Sequence, residues 1–145
     1  MNTHMLDEAR EAPEAIARQL AHNDTDYARF GALLREQDPT ALLTVARGSS
    51  DHAAHFLAYL VMARMGRLVT SLPMSLITLY QSQIACQGLV SLAFSQSGQS
   101  PDLVAPTQFF THGGATTAAF VNKPDSPLAK AAQWVFPLHA GVEAS

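Results

Sequence analysis

LVSLAFSQSGQSPDL, residues 89–103, decides how this chain is read. Its first six residues are an apolar run without helical period, as expected of a strand buried on both faces. The run stops in Ser95-Gln96-Ser97-Gly98-Gln99-Ser100, three serines, two glutamines and a glycine. Pro101 then presets the φ of a helix's first turn, and Asp102 suits the positive end of its dipole. Strand, polar loop and helix start follow one another without a spare residue.

The same unit recurs on both sides. Upstream, ALLTVA (41–46) reads as a strand, ARGSSD (46–51) as a loop, and Asp51–Met65 as a helix ended by Gly66. RLVTSL (67–72) is a further strand, and Ser75–Gln87 a helix closed by Gly88. Downstream, Pro101–Thr111 is a helix stopped by His112-Gly113-Gly114, ATTAAFVN (115–122) a strand, Ser126–Gln133 a short helix and WVFPLHA (134–140) a fifth strand. Strict alternation of buried strands with helices predicts a three-layer α/β/α sandwich around a five-stranded parallel sheet, order 2-1-3-4-5, in a flavodoxin-like arrangement. Residues 1–40 precede it as a helical segment. Met5–Leu20 has a helical apolar face that Pro13 starts or kinks, and Asp24–Glu36 reads as a second helix capped by Asp24 or Thr25. No helix follows the fifth strand, only GVEAS, so that edge is expected to need a partner's cover or a longer chain.

Composition narrows the function. With 145 residues the chain suits a single core, residues 41–145 forming one domain. Hydrophobic residues are 48% and charged ones only 14%, so part of the surface is expected to meet another subunit. A net charge of −3 offers no basic field for nucleic acid or an anionic membrane. The longest apolar stretches, such as Phe56–Met62, are too short to span a bilayer, and the charged first 20 residues do not form a signal peptide. Cys86 is the only cysteine, which excludes an internal disulfide and points to the cytoplasm.

In an open parallel sheet the ligand crevice lies beyond the carboxyl ends of the strands, where the strand order reverses. Order 2-1-3-4-5 places ARGSSD (46–51) and SQSGQSPD (95–102) there together. Each opens a helix, whose first amides lack intrahelical acceptors and favour an anion. Gly48 and Gly98 permit close backbone approach, and Ser49, Ser50, Ser95, Ser97 and Ser100 add compact hydroxyls. Serines also cap helices in their own right, and Ser50 and Ser100 stand where such caps belong. The pairing of two such loops favours a cradle for a phosphate monoester. A P-loop is excluded, since no Gly-Lys-Ser/Thr occurs.

The pieces ARGSSDHAA (46–54), SLPMSLITLY (71–80) and SQSGQSPD (95–102) together resemble the SIS, or sugar isomerase, domain of phosphosugar-binding proteins. GVEAS (141–145) resembles the start of that family's segment after the fifth strand. MLDEAREAPEAI (5–16) resembles the element preceding the tandem SIS domains of glutamine–fructose-6-phosphate aminotransferase. The resemblance implies phosphate contacts from Ser49, Ser50, Ser95, Gln96, Ser97 and Ser100, on loops shaped by Gly48 and Gly98. It implies aldose–ketose isomerisation or deamination of an amino-sugar 6-phosphate in the complete protein, as in tandem-SIS glucosamine-6-phosphate deaminase/isomerases. The alternative is a non-catalytic phosphosugar-sensing domain of a regulator. The family's acid/base residues come mostly from a second SIS domain, absent here, so this chain alone is expected to turn over poorly. A homodimer, or pairing with a second SIS domain, is expected.

Further candidates are fewer. Glu143 matches a glutamate of the family segment, and His139 leaves the fifth strand on the ligand side; these two are the catalytic candidates. Arg47 can face a phosphate or pair with Asp51 or Asp102. His52 and His55, beside Asp51, have a two-ligand spacing but no evident third ligand, so no metal is expected, nor any cofactor.

Overall fold

The structure, a computed structural model, describes residues 4–142. Its elements run α1 (His4–Gln37), β1 (Ala41–Val45), α2 (Ser49–Met65), β2 (Val69–Ser71), α3 (Ser75–Thr78), β3 (Leu89–Ser95), α4 (Pro101–His112), β4 (Thr116–Val121), α5 (Pro127–Ala131) and β5 (Trp134–Pro137). The five strands form one sheet in the order β2-β1-β3-β4-β5, every neighbouring pair parallel. The expected topology is therefore the observed one.

Alternation along each strand sorts the core into two halves. Leu43, Val45, Ala93, Ala119 and Val121 face α3, α4 and α5, packing with Ile77, Leu103, Phe110 and Leu128. Leu42, Val90, Leu92, Ala118 and Phe136 face the other way, against Phe30 of α1 and Val61 of α2. On that side an aromatic cluster ties the first helix to the last strand. Phe30 lies 5.3 Å from both Trp134 and Phe136, and Tyr27 5.0 Å from Phe136. Such pairs add about 0.5–1.5 kcal/mol each beyond their buried area. Asn23, itself buried, donates from Nδ2 to the Pro137 carbonyl at 2.8 Å.

Three sequence expectations need correction. The N-terminal segment is one helix of 34 residues, not two, with Pro13 inside it. Asp24 and Thr25, the expected caps, lie inside it, where the neighbouring Asn23 side chain donates to Pro137 and Tyr27 and holds this stretch against β5. The helix expected over Ser75–Gln87 is a single turn, Ser75–Thr78. Leu79 and Tyr80 project into solvent at 71% and 70% exposure, and Gln81 takes a left-handed φ of 50°, so no apolar stripe holds a longer helix against the sheet. Finally, β5 does not lack cover: α1 crosses from the opposite end of the chain to pack on it. Among the described residues, no helix is long and apolar enough to cross a membrane.

Candidate functional site

β1 and β3 are adjacent, with Val45 opposite Ala93, and their chains leave in opposite directions. From β1 the chain enters α2 on one face of the sheet, and from β3 it enters α4 on the other. The two serine loops thus meet at the switch point. A direct bond closes the gap: the Arg47 guanidinium from the first loop pairs with the Asp102 carboxylate in the first turn of α4. Between Asp51 and Asp102, Arg47 pairs with Asp102. Asp51 faces His55 instead, at 3.5 Å.

The first loop turns at Gly48, whose φ of 58° and ψ of −135° few other residues would adopt. Gly48 is the N-cap of α2, so Ser50 sits in the first turn and is not a cap. Ser100 is the N-cap of α4, with no cap bond from its side chain. The hydroxyls of Ser49, Ser50 and Ser100 therefore do no capping, and none bonds elsewhere among the described residues. Three small donors are left at two adjoining helix starts.

The second loop divides its labour. Ser95, buried at the end of β3, accepts the Gly98 N–H at 3.0 Å, which folds the loop back on itself. Ser97 accepts the Gln99 N–H at 3.4 Å. Gly98 has a φ of 64°, and a Cβ there would stand 2.2 Å from Ser126 Oγ. Its carbonyl accepts from Leu128, so the loop is pressed against the start of α5. Gln96, in the same loop, lines a cavity of about 350 Å³, walled by α1 from Glu8 to Gln19 and by Asn122, Leu138 and Ala140–Val142.

The remaining candidates separate. His139 is half-buried with a φ of 54°, stacks on His22 at 4.6 Å between ring centres, and accepts from Arg18 through its carbonyl. It lies at the exit of β5, between Leu138 and Ala140, which line the same cavity as Gln96. Glu143 falls outside the described residues. His52 and His55 gather no third ligand-type side chain among the described residues. Sequence reasoning missed two contributors. Asn122 follows β4 at the same end of the sheet as the serine loops, and its position as the polar residue after TTAAFV was the available signal. The wall formed by α1 had no such signal, because nothing local joins residues 8–19 to strand exits 77 or more positions away.

The class these features define is an open parallel α/β domain with its ligand crevice at the topological switch point. The family model for the SIS domain matches residues 34–145, and the chain belongs to that family. Over 99 residues it is 32% identical to the glutamine–fructose-6-phosphate aminotransferase (isomerizing) of Zymomonas mobilis, covering 68% of this chain and 16% of that protein. A Silicibacter pomeroyi structure named "putative phosphosugar isomerase" superimposes with a TM-score of 0.95 at 42% identity, covering 99% of this chain and 44% of that one. The C-terminal domain of glucosamine-fructose-6-phosphate aminotransferase from Francisella tularensis shares the fold, with a TM-score of 0.82 at 24% identity over 99% of this chain and 41% of that one. The chain thus spans under a quarter of the curated relatives it matches and under half of these structural ones.

Proposed function

We propose that the crevice between residues 46–51 and 95–102 holds the phosphate of an amino-sugar 6-phosphate, of the glucosamine 6-phosphate or fructose 6-phosphate type. The observation that carries this reading is the set of three hydroxyls, Ser49, Ser50 and Ser100, that make neither a cap nor any other hydrogen bond among the described residues at two converging helix starts. Ser95, Gln96, Ser97, Gly48 and Gly98 shape and complete the cradle. Membership of the SIS family and likeness to proteins named for phosphosugar isomerisation support it.

The reaction of the complete protein is aldose–ketose isomerisation, with or without loss of ammonia. A base takes a proton from C2 of the open-chain aldehyde and an acid returns one to C1; where C2 carries an amine, the resulting C2 ketimine is hydrolysed by water to the ketose, and the amine leaves as ammonia. The cradle contributes by holding the phosphate, so that C1 and C2 are fixed relative to those groups. The base and acid are expected from a paired SIS domain, so this chain alone binds phosphosugar and turns it over slowly. Pairing is expected through α2, where Phe56, Tyr59 and Met65 are more than half exposed. A second copy of the chain is its simplest occupant, in the reducing cytoplasm that suits the unpaired Cys86.

Thermal shift and calorimetry with glucosamine 6-phosphate, fructose 6-phosphate and inorganic phosphate test the binding. Stabilisation by both sugar phosphates, and weaker stabilisation by phosphate, is the expected result. No response to any of the three would overturn the reading.

A further inference from the structure

Asn122 joins three strand exits. Its backbone N–H donates to the carbonyl of Gln96 at 3.1 Å, tying β4 to the second serine loop. Its side chain grips the exit of β5 at two points: Nδ2 donates to the Gly141 carbonyl at 2.6 Å, and Oδ1 accepts the Ala140 N–H at 2.9 Å. The gripped turn needs such a grip. His139 and Gly141 both adopt left-handed φ, 54° and 83°, and a non-glycine residue in that region costs roughly 1–2 kcal/mol. Arg18 adds a third tether by donating to the His139 carbonyl at 3.3 Å.

Gln96, Asn122, Ala140 and Gly141 also share one wall of the cavity of about 350 Å³, at the small end of ligand-pocket sizes of about 300–1,000 Å³. α1 also lines it, with Glu8, Glu11 and Gln19 set among alanines and Ile16; among the described residues no lysine or arginine lines the cavity. Such a lining suits hydroxyl or ammonium groups and disfavours a second anion. Because Gln96 belongs to both, the cavity adjoins the crevice assigned to phosphate.

We propose that Asn122 is a positioning residue for ligand specificity: by clamping the Ala140–Gly141 turn to the Gln96 loop, it shapes a compartment for the hydroxylated end of a sugar phosphate. The inference rests on the phosphate reading above. It predicts that Asn122 matters for the sugar and not for the phosphate.

The test compares the full chain with Asn122→Ala and Asn122→Asp by calorimetry, using inorganic phosphate and fructose 6-phosphate as probes. Both variants are expected to bind inorganic phosphate within about twofold of the parent. Asn122→Ala loses two hydrogen bonds and should weaken fructose 6-phosphate roughly tenfold. Asn122→Asp keeps the acceptor for Ala140 but loses the donor to Gly141, and should also weaken the sugar phosphate selectively. Hydrogen exchange reads the clamp without any ligand: the Ala140 amide should lose protection in Asn122→Ala and keep more of it in Asn122→Asp. Unchanged fructose 6-phosphate affinity in both variants, or equal losses for both probes, would overturn the positioning role while leaving the phosphate reading standing. A parent chain that binds neither probe would overturn both.

Discussion

Replacing Gly98 by alanine should damage the protein by two separable routes. The residue has a φ of +64°, where an L side chain costs roughly 1–2 kcal/mol. The new Cβ would also stand 2.2 Å from Ser126 Oγ and 2.6 Å from Ser126 Cβ, far inside contact distance. Ser126 is buried and caps α5 by accepting the Ala129 N–H, so it cannot swing away freely. Overpacking of this kind costs about 1–3 kcal/mol, giving a total of about 2–5 kcal/mol. Urea denaturation measures the total directly, as a lowered midpoint at an unchanged slope. The two routes part in a Ser126→Gly background, which removes both close atoms and leaves Leu128 Cβ at an ordinary 3.5 Å. There Gly98→Ala should cost only the backbone strain, so the cycle should show a coupling of about 1–3 kcal/mol. An equal cost in both backgrounds, or a total below about 1 kcal/mol in the parent, would refute the claim that the loop is pressed onto α5.

The hydroxyls of Ser49, Ser50 and Ser100 make no bond within the described fold, so alanine at each should change stability by less than about 0.5 kcal/mol, yet weaken glucosamine 6-phosphate binding severalfold, as read by calorimetry. Ser95→Ala should differ in kind: it leaves the Gly98 N–H without its acceptor and should cost about 1–3 kcal/mol in denaturation as well as binding. Burial raises the Cys86 thiol above its ordinary value, so folding favours the protonated form. That contribution to stability is intact below about pH 9 and declines as the pH rises toward the folded-state value; Cys86→Ala should flatten the slope of stability between pH 8.5 and 10.

The sheet was legible in the sequence because each strand carries its own signal. Val90, Leu92 and Ala93 are apolar on both sides, which only a covered parallel sheet explains. The serine loops were legible because helix starts and strand exits are local patterns. What failed was decided by distant contacts. Asp24 and Thr25 look like caps of a second helix, but α1 runs through them, and beside them Asn23 reaches Pro137, 114 positions later. Leu79 and Tyr80 look like the stripe of a helix, but nothing in the fold buries them. Asn122 looks like an ordinary strand end because its partners Ala140 and Gly141 are 18 and 19 residues away. The Arg47 partner could not be chosen from sequence either, since Asp51 and Asp102 were equally plausible until the loops met.

The docking of α1 onto β5 has a consequence for how the protein is made. A ribosome adds about 5–20 residues per second, so the 114 positions between Asn23 and Pro137 separate their appearance by roughly 6–23 s. Throughout that interval the helix is complete while the strand that covers Tyr27 and Phe30 does not yet exist. The nascent chain must carry these two aromatic rings without that cover until β5 emerges. A helix made well before the sheet is therefore seated only after the strand at the sheet's far edge.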